Sequence, residues 1–423
     1  MLEEQKKNLK KDMKSANTYW ITFLKWVVLA VLIGVICGLV GTLFYYAVKN
    51  VTLFREQNVW ILLCMPLAGI FIVKLYHVFG LIQDRGTNLV IGSIRSGENV
   101  PLRMSALIFI GTVFTHLVGG SSGREGAALQ IGGSIGNFLG RKFHFGEKEK
   151  IICTMCGMSA VFSAIFGTPI TATVFSMEVI SVGVMYYSAL VPCMTSALMA
   201  YFISNRLKVQ GESFAFENPL DFDLLSFAKV MVFGVCCALI SILFCIAMHK
   251  VGEFLNKKFK NPYYRILVGS FVVILLTIAL QTMDYNGAGM EIVEKAIHGE
   301  AEWFAFLLKI LFTAVTLGCG FKGGEIVPSF FIGATFGCVV APLLGIPAGF
   351  GAALGMIGVF CGVVNCPLAS IILSIEMFGS QSLIFFAIIS AVSFMLSGRY
   401  SLYSSQKIIY SKLKPEYVNR DTK

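Results

Sequence analysis

An all-α polytopic membrane protein, built as a duplication with broken and re-entrant helices, is what the sequence predicts from three observations. Apolar residues make up 56% of the 423 and charged residues only 14%, against roughly 25% charged in soluble domains. Glycine accounts for 42 residues and mean hydropathy is +0.76, the composition of helices that pack closely inside lipid. The two halves also carry matching segments. A water-soluble enzyme is excluded. The net charge of +10 lies largely at the ends and in short loops, which points to an anionic inner leaflet and away from nucleic acid.

Taken in order, the first 15 residues carry five lysines before an apolar stretch from Tyr19 to Val48. That stretch is too long for a secretory h-region and has no small-residue cleavage site, so it reads as a retained first helix with a cytoplasmic lead, residues 1–18. Further apolar stretches run over 60–82, 104–120, 149–180, 185–204, 225–248, 263–281, 302–318, 328–345, 350–378 and 381–397. A full span needs about 20 apolar residues, yet 126–140 and 328–345 are rich in glycine or interrupted by proline, as in helices that stop inside the membrane. Residues 206–224 form a polar linker between a first membrane repeat, 19–205, and a second, 225–405; a basic tail, 406–423, follows.

The repeat is visible directly. Gly157–Ile180 aligns without gaps on Gly355–Phe378, 198 residues later, with seven of 24 positions identical. At an offset of 201, Gly123, Ile131, Gly132 and Gly136 fall on Gly324, Ile332, Gly333 and Gly337. If each half crosses the membrane an odd number of times, the halves are inverted, both termini share the cytoplasmic side, and a site lies between them at mid-membrane.

The chemistry centres on Glu125, in GGSSGREGAALQIGG. Flanking glycines let backbone N–H groups approach a ligand, and a helix N-terminus attracts anions. A carboxylate there competes with a permeating anion and leaves when protonated, which is a proton-linked gate. The alternative is a capping Glu at the membrane surface. The twelve cysteines lie in or beside apolar segments and read as small buried hydrophobes, Cys153-x-x-Cys156 included. The five histidines show no i, i+4 pair, so neither a metal site nor a cofactor is expected.

GSSGREGA resembles the Gly-Lys/Arg-Glu-Gly-Pro signature of the CLC family of chloride channels and proton-coupled anion antiporters, with Ala127 in the proline place. The duplication and the paired GTP and NCP turns are similar to bacterial CLC transporters over most of 19–410. The resemblance implies the CLC-type fold of two inverted repeats, a homodimer with an ion pathway in each subunit, and Glu125 as external gate, flanked by Gly123, Arg124 and Gly126. Three departures resemble the fluoride/proton antiporter subfamily. The anion-site Gly-Ser-Gly-Ile-Pro is replaced by Gly86-Thr87-Asn88-Leu89-Val90, with Thr87 in the serine position. Gly-Gly-Ile-Phe-Ala-Pro becomes Gly323-Gly324-Glu325-Ile326-Val327-Pro328, which brings a second pathway carboxylate. The inner proton-transfer glutamate falls on Val179, after Glu178. Tyr403 matches the tyrosine that reaches the central anion, with Tyr400 as its rival.

Physically, fluoride is small, tightly hydrated and a strong acceptor. A pore must offer it many close donors, and Thr87, Asn88, Tyr403 and glycine N–H groups are donors. The expected function is therefore fluoride/proton antiport at the cell membrane, with fluoride or chloride, protons and lipid as partners; a chloride/proton antiporter or chloride channel of the same family is the alternative. Glu325 has a simpler reading as a helix cap or a partner of Lys322. The repeated Glu178 and Glu376 read as fold residues that bind backbone N–H groups. From another class, Gly120-Ser121-Ser122-Gly123 has the form found around the nucleophile of rhomboid intramembrane proteases, but the serine then needs a histidine base, and the duplication has no place in that fold.

Overall fold

The computed structural model describes residues 2–81, 85–217 and 219–423, with side chains from residue 17 onward. The lysine side chains of the expected 1–18 lead lie outside the described residues. The first half contains α1 (Leu2–Gln57), α2 (Met65–Val78), α3 (Thr87–Ser96), α4 (Leu102–Leu117), α5 (Glu125–Lys142), α6 (Glu147–Phe166), α7 (Pro169–Glu178) and α8 (Leu190–Arg206). The second contains α9 (Leu224–Lys258), α10 (Pro262–Leu280), α11 (Met290–Ile297), α12 (Ala305–Cys319), α13 (Ile326–Val340), α14 (Ala348–Val364), α15 (Pro367–Phe378) and α16 (Leu383–Leu396).

The second eight helices repeat the packing of the first eight. α5 lies on α6 as α13 lies on α14, and α1 on α8 as α9 on α16. Both glycine pairs of the sequence alignment serve this packing. A Cβ on Gly132 would meet the Gly157 carbonyl oxygen at 2.0 Å, and one on Gly333 would meet that of Gly355 at 2.4 Å. The backbones touch, so no side chain fits between them.

Among the described residues, seven helices are long and apolar enough to cross a membrane, including Val59–Val78, Pro262–Leu280 and Ile326–Leu344, and five shorter apolar helices accompany them. The surface confirms which solvent they meet: Leu239 and Leu275 are 60% and 65% exposed, while serine and threonine line the interior and tie helices together. Ser163 Oγ donates to the Ala197 carbonyl at 2.9 Å, and Ser241 Oγ to that of Val359 at 3.1 Å. The chain is thus a multi-pass membrane protein.

The helix breaks fall where the repeat places them. The 149–180 stretch divides into α6 and α7 at Gly167 (φ 76°), and the 350–378 stretch into α14 and α15 at Asn365 (φ 57°). Proline follows two residues later in each case and opens the next helix, where its missing N–H costs nothing. The duplicated glutamates then cross over. Glu178, at the end of α7, accepts from Leu368 N (3.2 Å) and Ala369 N (2.9 Å) at the start of α15. Glu376 of α15 returns the arrangement to Ile170 N (3.0 Å) and Thr171 N (2.8 Å) of α7. The expected backbone-binding role of both residues is what the structure contains.

Elsewhere the structure departs from the sequence reading. α1 continues nine residues past Val48 to Gln57. The amphipathic α11 has no apolar stretch to announce it. The segment read as a tail, 406–423, is folded: β2 (Lys407–Tyr410) pairs parallel with β1 (Ser181–Val182) and antiparallel with β3 (Tyr417–Asp421). These short strands are the one addition to an otherwise all-α architecture among the described residues.

Candidate functional site

α5 and α13, the two glycine-preceded helices of the alignment, begin inside the protein, nose to nose. Gly123 N donates to the Gly324 carbonyl and Gly324 N to that of Gly123, each at 2.7 Å. This two-residue antiparallel bridge joins the loops at the pseudo-symmetric point of the repeat. It demands glycine: a Cβ on Gly324 would lie 2.4 Å from Gly126 N, and one on Gly123 2.5 Å from Glu125 Oε2. Both helix N-termini carry partial positive charge and leave their first N–H groups without intrahelical partners. In α13 these belong to Ile326 and Val327, both buried.

Glu125 is 1% exposed, at the first position of α5. Its Oε2 accepts from the Arg124 backbone N–H at 2.9 Å, and its Oε1 lies 3.4 Å from Arg124 Nε. Arg124 in turn reaches Glu212 Oε1 (2.8 Å) and stacks its guanidinium 4.8 Å from the Tyr45 ring centroid. Glu325 occupies the position just before α13, yet its side chain makes no capping hydrogen bond and Oε2 has no partner among the described residues. Nor is it neutralised by Lys322 in the expected way, because that ammonium lies over the Tyr76 ring, 4.1 Å from its centroid.

Gly126 is the meeting point. A Cβ placed there would stand 3.4 Å from Thr87 Oγ1 and 3.5 Å from Glu325 Oε2. Thr87 opens α3, after Gly86 at φ 56°, donates to the Gly126 carbonyl at 3.3 Å and accepts from Gln130 Nε2 at 3.1 Å. Tyr403 is 1% exposed and its hydroxyl is buried without a hydrogen-bond partner among the described residues, within the electrostatic reach of Glu325 and Glu125. Its rival Tyr400 is only half-buried.

Asn88 sits in the first turn of α3. Its side-chain oxygen accepts from Ser405 N at 2.9 Å, so it fastens α3 to the loop that carries Tyr403. Val179 is buried and its carbonyl accepts from Gln406 Nε2 at 2.9 Å. Ser121 Oγ pairs with Thr313 Oγ1 at 3.0 Å, and the histidine in this region, His116, directs Nε2 toward the Gly123 carbonyl at 3.5 Å. No serine–histidine hydrogen bond forms there among the described residues.

Sequence reasoning missed Glu212, Gln130 and His116. Gln130 is a lone amide in an apolar glycine-rich run, a signal that was present; Glu212 lies in the polar linker, where acidic residues are common. From the Arg124 side of Glu125, a cavity of about 830 Å³ opens, lined by Tyr45, Arg55, Glu212, Asn286 and Glu291 among others.

Two helices that start nose to nose inside a multi-pass membrane protein, each with a carboxylate at its start, are an arrangement suited to a membrane transporter. A sequence model described as Voltage gated chloride channel matches residues 68–398. The chain belongs to that family, the CLC proteins. It is 34% identical over 395 residues to a chloride/fluoride channel protein of Pseudomonas syringae pv. tomato, covering 92% of this chain and 87% of the relative. Among solved structures it resembles a CLC-type fluoride/proton antiporter, with a TM-score of 0.88 and 34% identity over 90% of this chain and 98% of the other. A slow cyanobacterial Cl⁻/H⁺ antiporter shares the fold, with a TM-score of 0.73 and 20% identity over 88% and 94% of the two chains.

Proposed function

We propose that this protein exports fluoride in exchange for protons, with Glu125 as the protonatable gate and Glu325 as a second carboxylate in the pathway. The carrying observation is a set of groups, Glu125 beside Gly126, Thr87 and Glu325 close to it, and the Tyr403 hydroxyl, in which the buried atoms Glu125 Oε1, Glu325 Oε2 and Tyr403 Oη have no hydrogen-bond partner among the described residues. Two carboxylates cannot both ionise cheaply near one anion. Proton uptake by one of them lowers the repulsion and admits the anion; anion exit restores it. Fluoride suits the site because the Tyr403 hydroxyl and the free N–H groups of both helix starts supply the short, strong donors it needs in place of water.

Gly86, Gly123, Arg124, Gly126, Gly324, Ile326 and Val327 would line the passage through their backbone, with Arg124 offering its guanidinium from the cavity side. We further propose a homodimer in the cell membrane with both termini cytoplasmic. The relatives named for fluoride support the substrate, and the lysine-rich ends support the orientation. An ion-selective electrode on reconstituted vesicles tests the reading. Fluoride efflux should exceed chloride efflux and depend on an added protonophore; equal chloride flux, or indifference to the protonophore, contradicts it.

A further inference from the structure

We propose that Glu212, in the segment joining the two halves, is a positioning residue for the gate: by sharing Arg124 with Glu125 it sets how readily that carboxylate releases the guanidinium and takes a proton. The inference rests on the gate role of Glu125 proposed above and adds a control to it.

The geometry is a chain of three charges. Glu212 Oε1 takes a 2.8 Å hydrogen bond from Arg124 Nη2, while Arg124 Nε stands 3.4 Å from Glu125 Oε1. The Arg124 and Glu212 side chains are only 15% and 23% exposed, so their pairing is screened far less than a surface ion pair. Glu212 is itself fixed. Its backbone N–H donates to the Phe166 carbonyl at 3.2 Å, and the preceding Gly211 packs its Cα against Gly167. Residues 210–212 therefore form a wall of the cavity that ends at Glu125.

Other charged or titratable groups face this region, among them Lys49 and Glu56 of α1, Asp284, and Glu291 of α11, which line the same cavity. α1 contributes Arg55, which donates to the His116 carbonyl and pairs with Glu56 at 3.4 Å. α4 contributes His116, held near the Gly123 carbonyl. α12 contributes Lys309, which donates to the carbonyls of Tyr285 (3.2 Å) and Gly287 (2.8 Å). Glu325 and Tyr403 face the inner side. The ion pair that touches Glu125 is made by Arg124, and the second carboxylate on Arg124 is Glu212. When Glu125 is protonated and swings away, Glu212 keeps the guanidinium anchored beside Tyr45. Without that second partner, Arg124 belongs to Glu125 alone and holds it ionised and closed.

The test is the pH profile of fluoride efflux. Glu212→Gln keeps the shape and removes the charge; its profile should move toward acid by on the order of one pH unit, with neutral-pH flux down on the order of tenfold. Glu212→Asp should keep the wild-type midpoint. Arg124→Gln, which removes the attraction instead, should move the midpoint the other way. In a Glu125→Gln background, Glu212→Gln should change nothing further. An unshifted profile for Glu212→Gln, a shift of the same sign for Arg124→Gln, or an undiminished effect of Glu212→Gln in the Glu125→Gln background overturns the proposal. Wild-type proton dependence in Glu125→Gln alone would instead overturn the gate reading on which it rests.

Discussion

Tyr403 shows what a single side chain contributes to the site. It is buried with its ring packed and its hydroxyl without a hydrogen-bond partner among the described residues. Its backbone is held from several directions: Tyr403 N donates to Ser401 Oγ at 3.1 Å, and its carbonyl accepts from Thr422 Oγ1 at 2.7 Å and from Gln406 N at 3.0 Å. A rigid donor with a free O–H is what an anion needs, and a hydrogen bond to a charged group contributes about 1.5–3 kcal/mol. Tyr403→Phe should therefore raise the KM for fluoride by about tenfold or more while leaving thermal unfolding near wild type; an unchanged KM would show that the hydroxyl does not meet the ion. Glu125 and Tyr403 are both buried, in keeping with the places that the family resemblance implied for them. The bond that Asn88 Oδ1 accepts from Ser405 N was not legible, because only the fold brings residue 405 beside it. Glu212 was illegible for a related reason: its importance comes from a contact 88 residues away with Arg124.

At the scale of elements, the duplication does structural labour twice over. The α7 and α15 helices cap one another through Glu178 and Glu376, each carboxylate taking two backbone N–H groups that a helix start would otherwise leave bare. Either substitution to Gln removes charge-assisted acceptance from a helix start, and each should cost about 1–2 kcal/mol, read as a lower melting temperature in detergent with fluoride KM unchanged. A variant that melted like wild type and transported with altered KM would assign these residues to the pathway instead. Long apolar helices such as α9 and α10 and the paired breaks at Gly167 and Asn365 could be read in advance, because lipid burial and left-handed turns leave local marks. The strands of the C-terminal segment could not. β2 pairs with β1 across more than 220 residues, and two paired residues per strand carry no periodicity. α11 is short and polar on one side, so composition alone reads it as loop.

For the whole molecule, inversion of two eight-helix halves explains why the anion centre is where it is. Each half supplies one helix start and one carboxylate, and the Gly123–Gly324 bridge brings them to the middle of the protein. Buried polar groups such as Lys309, Asn365 and Gln406 take backbone or side-chain partners, while leucine faces lipid, as expected when the bilayer is the solvent. In the proposed orientation, a cysteine placed at the exposed Glu416 should react with a membrane-impermeant maleimide in inside-out vesicles and not in intact cells; the reverse pattern would invert that orientation. The native cysteines interfere little, being buried or half-buried. The account stands or falls on coupling through Glu125. The most direct measurement records proton uptake and fluoride release together from one population of vesicles with no pH gradient imposed. An outward fluoride gradient should drive protons inward and acidify the lumen of wild-type vesicles, and Glu125→Gln should abolish that uptake. Fluoride leaving wild-type vesicles without any proton entry, or proton uptake undiminished in Glu125→Gln, would contradict the mechanism.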